Sequence, residues 1–251
     1  MKALIFAAGL GSRLKPLTDS TPKALIPVGG KSMLEHVIMK LKASGFNEIV
    51  VNIHHHGGQI IDFLESKDNF GIDIHISDER DYLLDTGGGI KHARKFLDGN
   101  EPFLVHNADI LSNVDLKQFY EYHLSQCGAA KSPCGSIATL LVSQRRSSRC
   151  LLFDKDNRLY GWQNRETGEV KSPYPDFNHN MYKGYAFGGI HVISPEIFEL
   201  MDEWTGKFSI INFYLAICAK TNIQAYPLDN LQLLDIGKPE TLAQAEEWLK
   251  G

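Results

Sequence analysis

Apolar and polar positions repeat along this chain in two periods, and the switching between them predicts a succession of strands and helices. The chain opens on an unbroken apolar run, Ala3-Leu4-Ile5-Phe6-Ala7-Ala8. A run this short, without polar alternation, reads as a strand buried on both faces. Over residues 32–44 the apolar residues Met33, Leu34, Val37, Ile38 and Leu41 recur at helical spacing. Ser32 is the expected N-cap, Glu35 its capping-box partner and Gly45 the terminator. Residues 48–53 form the next apolar strand. Further periods predict a helix over 59–65, a strand over 72–76, a helix over 90–96, a buried strand over 102–106 and a helix over 116–124. Strand, loop, helix and strand in this order predict right-handed βαβ units and a parallel sheet.

The second half is less regular. Residues 137–142, 159–164 and 185–193 read as strands, and 154–158 as a hairpin turn. Residues 167–182 read as a loop, either a flap over a site or a surface excursion. Ser194 and Pro195 start a helix, 209–219 is an apolar helix, and 239–249 closes the chain as a helix. The fold class expected is α/β, a Rossmann-like mixed but mainly parallel sheet with helices on both faces. No repeat or linker interrupts the pattern, so residues 1–251 read as one domain.

Composition narrows the function. A chain of 251 residues, 43% hydrophobic and 22% charged, is ordinary for a globular protein with a full core. A formal net charge of -4 argues against nonspecific nucleic-acid binding. No apolar run approaches the ~20 residues needed to cross a bilayer, and Met1-Lys2-Ala3 enters a strand without a signal-peptide layout. A cytoplasmic protein with no membrane partner is expected, and no oligomeric state is legible. Cys127, Cys134, Cys150 and Cys218 lack metal-ligand spacing and read as free thiols. His54-His55-His56 is a poor metal triad, because neighbours on an extended segment point to opposite faces.

The chemistry gathers after the first strand. Gly9 and Gly11 let main-chain N–H groups approach an anion. Arg13 and Lys23 follow, in a loop stiffened by Pro16, Pro22 and Pro27, a combination suited to a chain of phosphates. Three phosphate-binding patterns compete. A dinucleotide fingerprint needs a third glycine where Leu14 stands, and an acid after the second strand where histidines stand. A Walker loop over 25–32 ends in Gly-Lys-Ser but has Leu25 for its leading glycine. A triphosphate loop without a Walker lysine fits the full G-x-G-x-R-L-x-P-L-T spacing followed by P-K-A-L. Two further features belong at the carboxyl edge of such a sheet, where ligands sit. One is the glycine cluster Asp85-Thr86-Gly87-Gly88-Gly89, whose backbone groups suit a flat base. The other is Asp109, a carboxylate at the end of a central strand.

These residues, from Ala7 to Thr18 and from Thr21 to Leu25, resemble the signature of the sugar-1-phosphate nucleotidyltransferases, which make NDP-sugars. The resemblance runs along nearly the whole chain. It is strongest toward the N-acetylmuramate-1-phosphate uridylyltransferase branch, with mannose-1-phosphate guanylyltransferases beside it. It implies the nucleotide-diphospho-sugar transferase fold, an NTP (UTP first) and a sugar 1-phosphate as substrates, and Mg²⁺ as cofactor. It also implies roles. Arg13 and Lys23 are catalytic. Ala7, Ala8, Gly9, Gly11, Ser12, Asp85, Thr86, Gly87 and Gly88 hold the nucleotide. Asn107, Asn164 and Gly189 hold the sugar, and Asp109 and Asp235 hold the metal. Ala108 stands where the family commonly has glycine, and Leu233 where tryptophan is common. Arg145, Arg146 and Arg149 read as a solvated loop or as a contact to an anionic sugar. GTP with mannose 1-phosphate and CTP with phosphocholine remain open. So does a noncatalytic nucleotide-sensing module, although all four charged site residues are present.

Overall fold

The computed structural model describes residues 1–127 and 135–249. The first half contains β1 (Lys2–Phe6), a small hairpin of β2 (Pro27–Val28) and β3 (Lys31–Ser32), α1 (Met33–Ala43), β4 (Glu48–Ile53), α2 (Gly57–Ser66) and β5 (Asp73–Asp78). Then follow α3 (Asp85–His92), α4 (Arg94–Leu97), β6 (Phe103–Asn107), β7 (Ile110–Ser112) and α5 (Leu116–Cys127). The second half contains β8 (Ser136–Ser143), β9 (Arg149–Phe153), β10 (Leu159–Asn164), β11 (Val170–Lys171), β12 (Lys183–Ile193), α6 (Ile197–Leu200), α7 (Ile210–Ile217), β13 (Asn222–Pro227), β14 (Leu233–Asp235) and α8 (Pro239–Trp248).

The main sheet runs β11-β10-β9-β12-β6-β1-β4-β5, with β8 and β13 branching from β12. Strands β6, β1, β4 and β5 are parallel, and β12 turns the sheet antiparallel against β6. Alternate residues of β1 face opposite layers. Leu4 packs with Ile90, Phe213 and Tyr214 on the side of α3 and α7. Ala3 and Ile5 pack with Leu34, Ile38 and Phe119 on the side of α1 and α5. Helices therefore cover both faces, and β1 is buried on both, as its unbroken apolar run requires.

Several boundaries differ from the sequence pattern for physical reasons. The Ser32 hydroxyl caps α1 by accepting from Glu35 N at 3.1 Å, but the Glu35 carboxylate turns to Lys67 instead of closing a capping box. The helix expected at Ser194–Pro195 shrinks to α6, because the Ser194 hydroxyl bonds His123 and the Ser136 carbonyl. β9 and β13 lay in stretches without clear periodicity, and sheet pairing alone makes them strands. The loop over 167–182 is held down by stacked rings. Tyr160 lies between Tyr174 and Tyr182 at 4.6 and 4.9 Å, and Phe177 stacks on Tyr182 at 4.7 Å. Cys150 and Cys218 are buried free thiols, with burial pushing the Cys218 thiol up to about 11 and leaving it inert. Cys134 and the side chain of Cys127 lie outside the described residues. Among the described residues, no helix is long and apolar enough to cross a membrane, and no group of three or more His, Cys, Asp or Glu is placed to hold a metal.

Candidate active site

A cleft of about 470 Å³ opens at the carboxyl ends of β1, β4 and β6. Its floor is the chain leaving β1. Ala7 N donates to the Asn52 carbonyl at 3.1 Å, which ties the loop to β4. Beyond that point, the N–H groups of Ala8, Gly9 and Leu10 donate to no protein acceptor among the described residues. Free N–H groups following one another in a concavity attract anions. Gly11 then reverses the chain at φ +64°, and its carbonyl accepts from Leu14 N at 2.8 Å and Thr18 Oγ1 at 2.9 Å. Only glycine takes this backbone shape without strain, and the Thr18 methyl group fills the space where a Cβ would project. The short turn Ser12–Leu14 carries Arg13 into the cleft while Leu14 is buried beneath it.

The cations meet carboxylates from distant parts of the chain. Lys23 Nζ makes a short, partly buried ion pair with Asp109 Oδ2. Asp235 joins through the ladder of β7 and β14, in which it lies opposite Ile110, and Ile236 N donates to the Asp109 carbonyl at 2.8 Å. Gly237 keeps the neighbouring space open. A Cβ there would lie 2.5 Å from Arg13 Nη2 and 2.9 Å from Asp235 Oδ1. Arg13, Lys23 and Asp109 thus line one end of the cleft, and the exposed Asp235 stands just outside this lining, near Arg13. Two carboxylates offering hard oxygen donors beside bound phosphates suit Mg²⁺, which takes one or two carboxylates and completes its shell with phosphate and water.

The glycine cluster Gly87, Gly88 and Gly89 lies in a helix, α3, where the sequence pattern placed a loop before one. Gly87 N and Gly88 N donate to the Phe208 carbonyl at 2.9 and 3.2 Å, so these two N–H groups are taken up by protein. A Cβ on Gly87 would strike the Phe208 ring, one on Gly88 would sit 2.7 Å from the Gly206 carbonyl, and one on Gly89 2.8 Å from Glu79 Oε1. The glycines let α3 pack closely on three neighbours. Asp85 and Thr86 do line the cleft. Asp85 sits in the left-handed region at φ 61° and accepts from Thr86 N at 2.6 Å.

Of the expected sugar residues, Asn107 lines the cleft, and Gly189 lies against it. At φ +70°, a Cβ on Gly189 would come within 2.8 Å of Asn107 Nδ2. Asn164 lies apart, in a second cavity, where its side chain accepts from Glu166 N at 3.0 Å. Sequence patterns overlooked Asn52, Glu79, Leu83, Lys207 and Gly237, all of which line the cleft. Glu79 is buried, accepts from Asn52 Nδ2 and from Leu84 N at 2.9 Å, and is held above the ordinary carboxylate range by burial. Its signal was present, since an acid just past a strand end marks the ligand edge as Asp109 does. The histidine run serves structure. His54 Nδ1 bonds the Glu79 carbonyl at 2.6 Å, and His56 Nε2 reaches the Asp19 carbonyl at 3.3 Å.

The chain is similar to several known proteins. The family model described as nucleotidyl transferase matches residues 2–149. An N-acetylmuramate alpha-1-phosphate uridylyltransferase from Caulobacter vibrioides is 29% identical over 97% of this chain and 95% of its own. Mannose-1-phosphate guanylyltransferase 1 from Arabidopsis thaliana is 42% identical over 64% of this chain and 46% of its own. The chain spans about half the length of several curated relatives that it matches. A provisionally assigned glucose-1-phosphate thymidylyltransferase from Bacillus anthracis, crystallised with sucrose, superposes with a TM-score of 0.80 at 22% identity, over 99% of this chain and 94% of that one. The fold is therefore the nucleotide-diphospho-sugar transferase fold.

Proposed function

The chain belongs to the nucleotidyl transferase family, and on that premise we propose that it transfers a nucleoside monophosphate from an NTP to a sugar 1-phosphate, releasing pyrophosphate. The observation that carries this reading is the convergence of Arg13, Lys23 and Asp109 in one cleft with the unpaired N–H groups of Ala8, Gly9 and Leu10, with Asp235 at its margin. An oxygen of the sugar phosphate attacks the α-phosphorus, its new P–O bond forms in line, and the bond to the β-phosphate breaks. Phosphate is already a competent nucleophile, so no covalent enzyme intermediate is required. The difficulty is bringing two polyanions together, and catalysis is then positioning and electrostatic stabilisation.

The loop N–H groups and Arg13 orient the triphosphate and neutralise the departing pyrophosphate. Lys23 sits where the reacting phosphates meet. Asp109 and Asp235 would hold Mg²⁺, which when bound supplies charge neutralisation at the phosphates. Before that, Lys23 balances Asp109. Asp85 and Thr86 border the end of the cleft suited to the base and ribose, and Asn107, with room provided by Gly189, the sugar side. UTP with N-acetylmuramate 1-phosphate is the first pairing, supported by the relative that aligns over nearly the whole chain. GTP with mannose 1-phosphate is supported by the plant relative.

The test is pyrophosphate release with Mg²⁺ across UTP, GTP, CTP, TTP and ATP, against a panel of sugar 1-phosphates and phosphocholine. Release with one dominant pairing is expected. Arg13→Ala and Asp235→Asn should each lower the rate by about 10²-fold, the cost of one preorganised charge stabiliser. Silence across the panel with nucleotide binding intact would refute the transferase, and a near-normal Asp235→Asn rate would remove the two-aspartate metal site.

A further inference from the structure

Lys40 takes no part in the transfer chemistry above, yet its side chain runs from α1 into the protein. Its Nζ donates to the Ser112 carbonyl and, at 3.4 Å, to Ser112 Oγ. Ser112 is buried on β7. Lys40 makes no ion pair among the described residues. The acid whose charge reaches it, Asp115, is engaged in capping α5 by accepting from Gln118 N at 2.9 Å. Burial holds the ammonium down at about 8. An ammonium taken from water without a paired anion is a burden on the fold, so the charge by itself brings little stability. What Lys40 contributes is its grip on Ser112.

Ser112 belongs to a ladder that stands apart. Strands β7 and β14 pair with each other and with no strand of the main sheet. Ser112 lies opposite Leu233, and Ile110 opposite Asp235. At the far end of the ladder, Asn113 N donates to the Gln232 carbonyl at 3.1 Å and Gln232 N to Asn113 Oδ1 at 2.9 Å. At the near end is the turn that carries Asn107 and Asp109. There His106 Nδ1 donates to the Asn107 carbonyl at 2.8 Å, and Ile236 N to the Asp109 carbonyl at 2.8 Å. These bonds hold the ladder to itself and to the turn, whereas Lys40 ties it to α1. The exposed Asp235 carboxylate makes no hydrogen bond or ion pair among the described residues, so the ladder sets its distance from Asp109. Lys40 and Asp109 both act by charge on the buried His106 between them in sequence, which places the ammonium behind the same turn.

We infer that Lys40 is a positioning residue, which holds the β7–β14 ladder against α1 and so fixes the spacing of Asp109 and Asp235 for a divalent ion. This rests on the two-aspartate metal site of the transferase reading. Mg²⁺ demands near-octahedral geometry, and losing a partner that orients metal ligands costs about 10–100-fold in metal affinity. The experiment uses the full chain and its Lys40→Met and Lys40→Arg variants. Hydrogen exchange reads the ladder amides. Electron paramagnetic resonance counts bound Mn²⁺, the probe used for Mg²⁺, with the α,β-methylene analogue of UTP or GTP present. In Lys40→Met the amides of 110–113 and 232–236 should exchange about tenfold faster, with those of β1 and β4 unchanged. Mn²⁺ affinity should fall by about tenfold, while affinity for the analogue without metal stays the same. Lys40→Arg, which keeps donors for Ser112, should restore both. If Lys40→Met does not fold, Lys40→Gln, uncharged and one bond shorter, takes its place with the same expectations. Unchanged exchange and Mn²⁺ binding would overturn the proposal, and so would faster exchange spread evenly over the chain, the mark of a general support. Wild-type protein that takes up no Mn²⁺ removes the metal pair and this proposal together. The expected Mn²⁺ and exchange pattern in a protein that releases no pyrophosphate with any acceptor would uphold the tie and remove only the transfer reaction.

Discussion

Replacing Gly87 with alanine tests whether the glycine cluster of α3 serves packing. The added methyl group would fall on the edge of the Phe208 ring and 3.0 Å from the Phe208 carbonyl. Carbon atoms settle at about 3.5–4.0 Å, so the ring must withdraw by roughly 1 Å. It has little room, being buried between Trp204 at 5.1 Å and Phe213 at 6.1 Å. Moving Phe208 also stretches the bonds from Gly87 N and Gly88 N to its carbonyl. Overpacking costs about 1–3 kcal/mol and two weakened hydrogen bonds add about 1 kcal/mol, against a gain of about 1 kcal/mol in helix propensity. The net loss is about 1–3 kcal/mol, or a fall of roughly 3–10 °C in Tm for a chain of this size. Thermal unfolding of the purified variant measures it. Affinity for NTP should fall as well, because Ile210 and Thr86 are tied through the same segment. A variant with unchanged Tm and weakened nucleotide binding would refute the packing role and return Gly87 to direct contact with the base.

Gly9→Ala is the converse experiment. No protein atom lies within 4 Å of the added methyl group, so stability should change by less than about 0.5 kcal/mol while transfer slows by about tenfold or more, because the methyl group enters the phosphate cleft. Unchanged kinetics would mean that the phosphates do not approach Gly9. Burial holds His106 and His123 down at about 4 and His191 at about 3. Their folded values lie below the unfolded value near 6.5, so their contribution is complete above that pH and lost as pH falls toward 4. Unfolding free energy should therefore drop by up to about 4 kcal/mol per pH unit in this window, and His191→Gln should remove about a third of the slope. A flat profile would refute the burial argument. Lys40, lowered to about 8 chiefly by burial, donates to the Ser112 carbonyl. Here the unfolded state holds the extra proton, so this contribution to stability should rise from pH 8 to about 10.5, and Lys40→Met should abolish the rise in denaturant titrations.

Much of this architecture was legible in local patterns. The buried run of β1 and the helical spacing of α1 reflect the cost of leaving apolar surface in water, and that cost acts over a few residues. Turn chemistry marked the loop carrying Gly11 and Arg13. The strands β9 and β13 were not legible, because their strand character comes from partners on β12 and β8. The glycines of α3 read as a loop because a helix packed tightly on a ring and a loop approaching a ligand both require glycine.

The residue types of the candidate site, its phosphate loop and the parallel core were thus readable from neighbours along the chain. Their assembly belongs to the tertiary structure alone. Asp235 reaches Asp109 because β14 pairs with β7, Lys23 meets Asp109 across the loop, and Arg149 lies beside Asn164 because β9 pairs with β10. Such meetings depend on register between distant segments and on packing that closes only when the whole sheet forms, and no period along the chain records them.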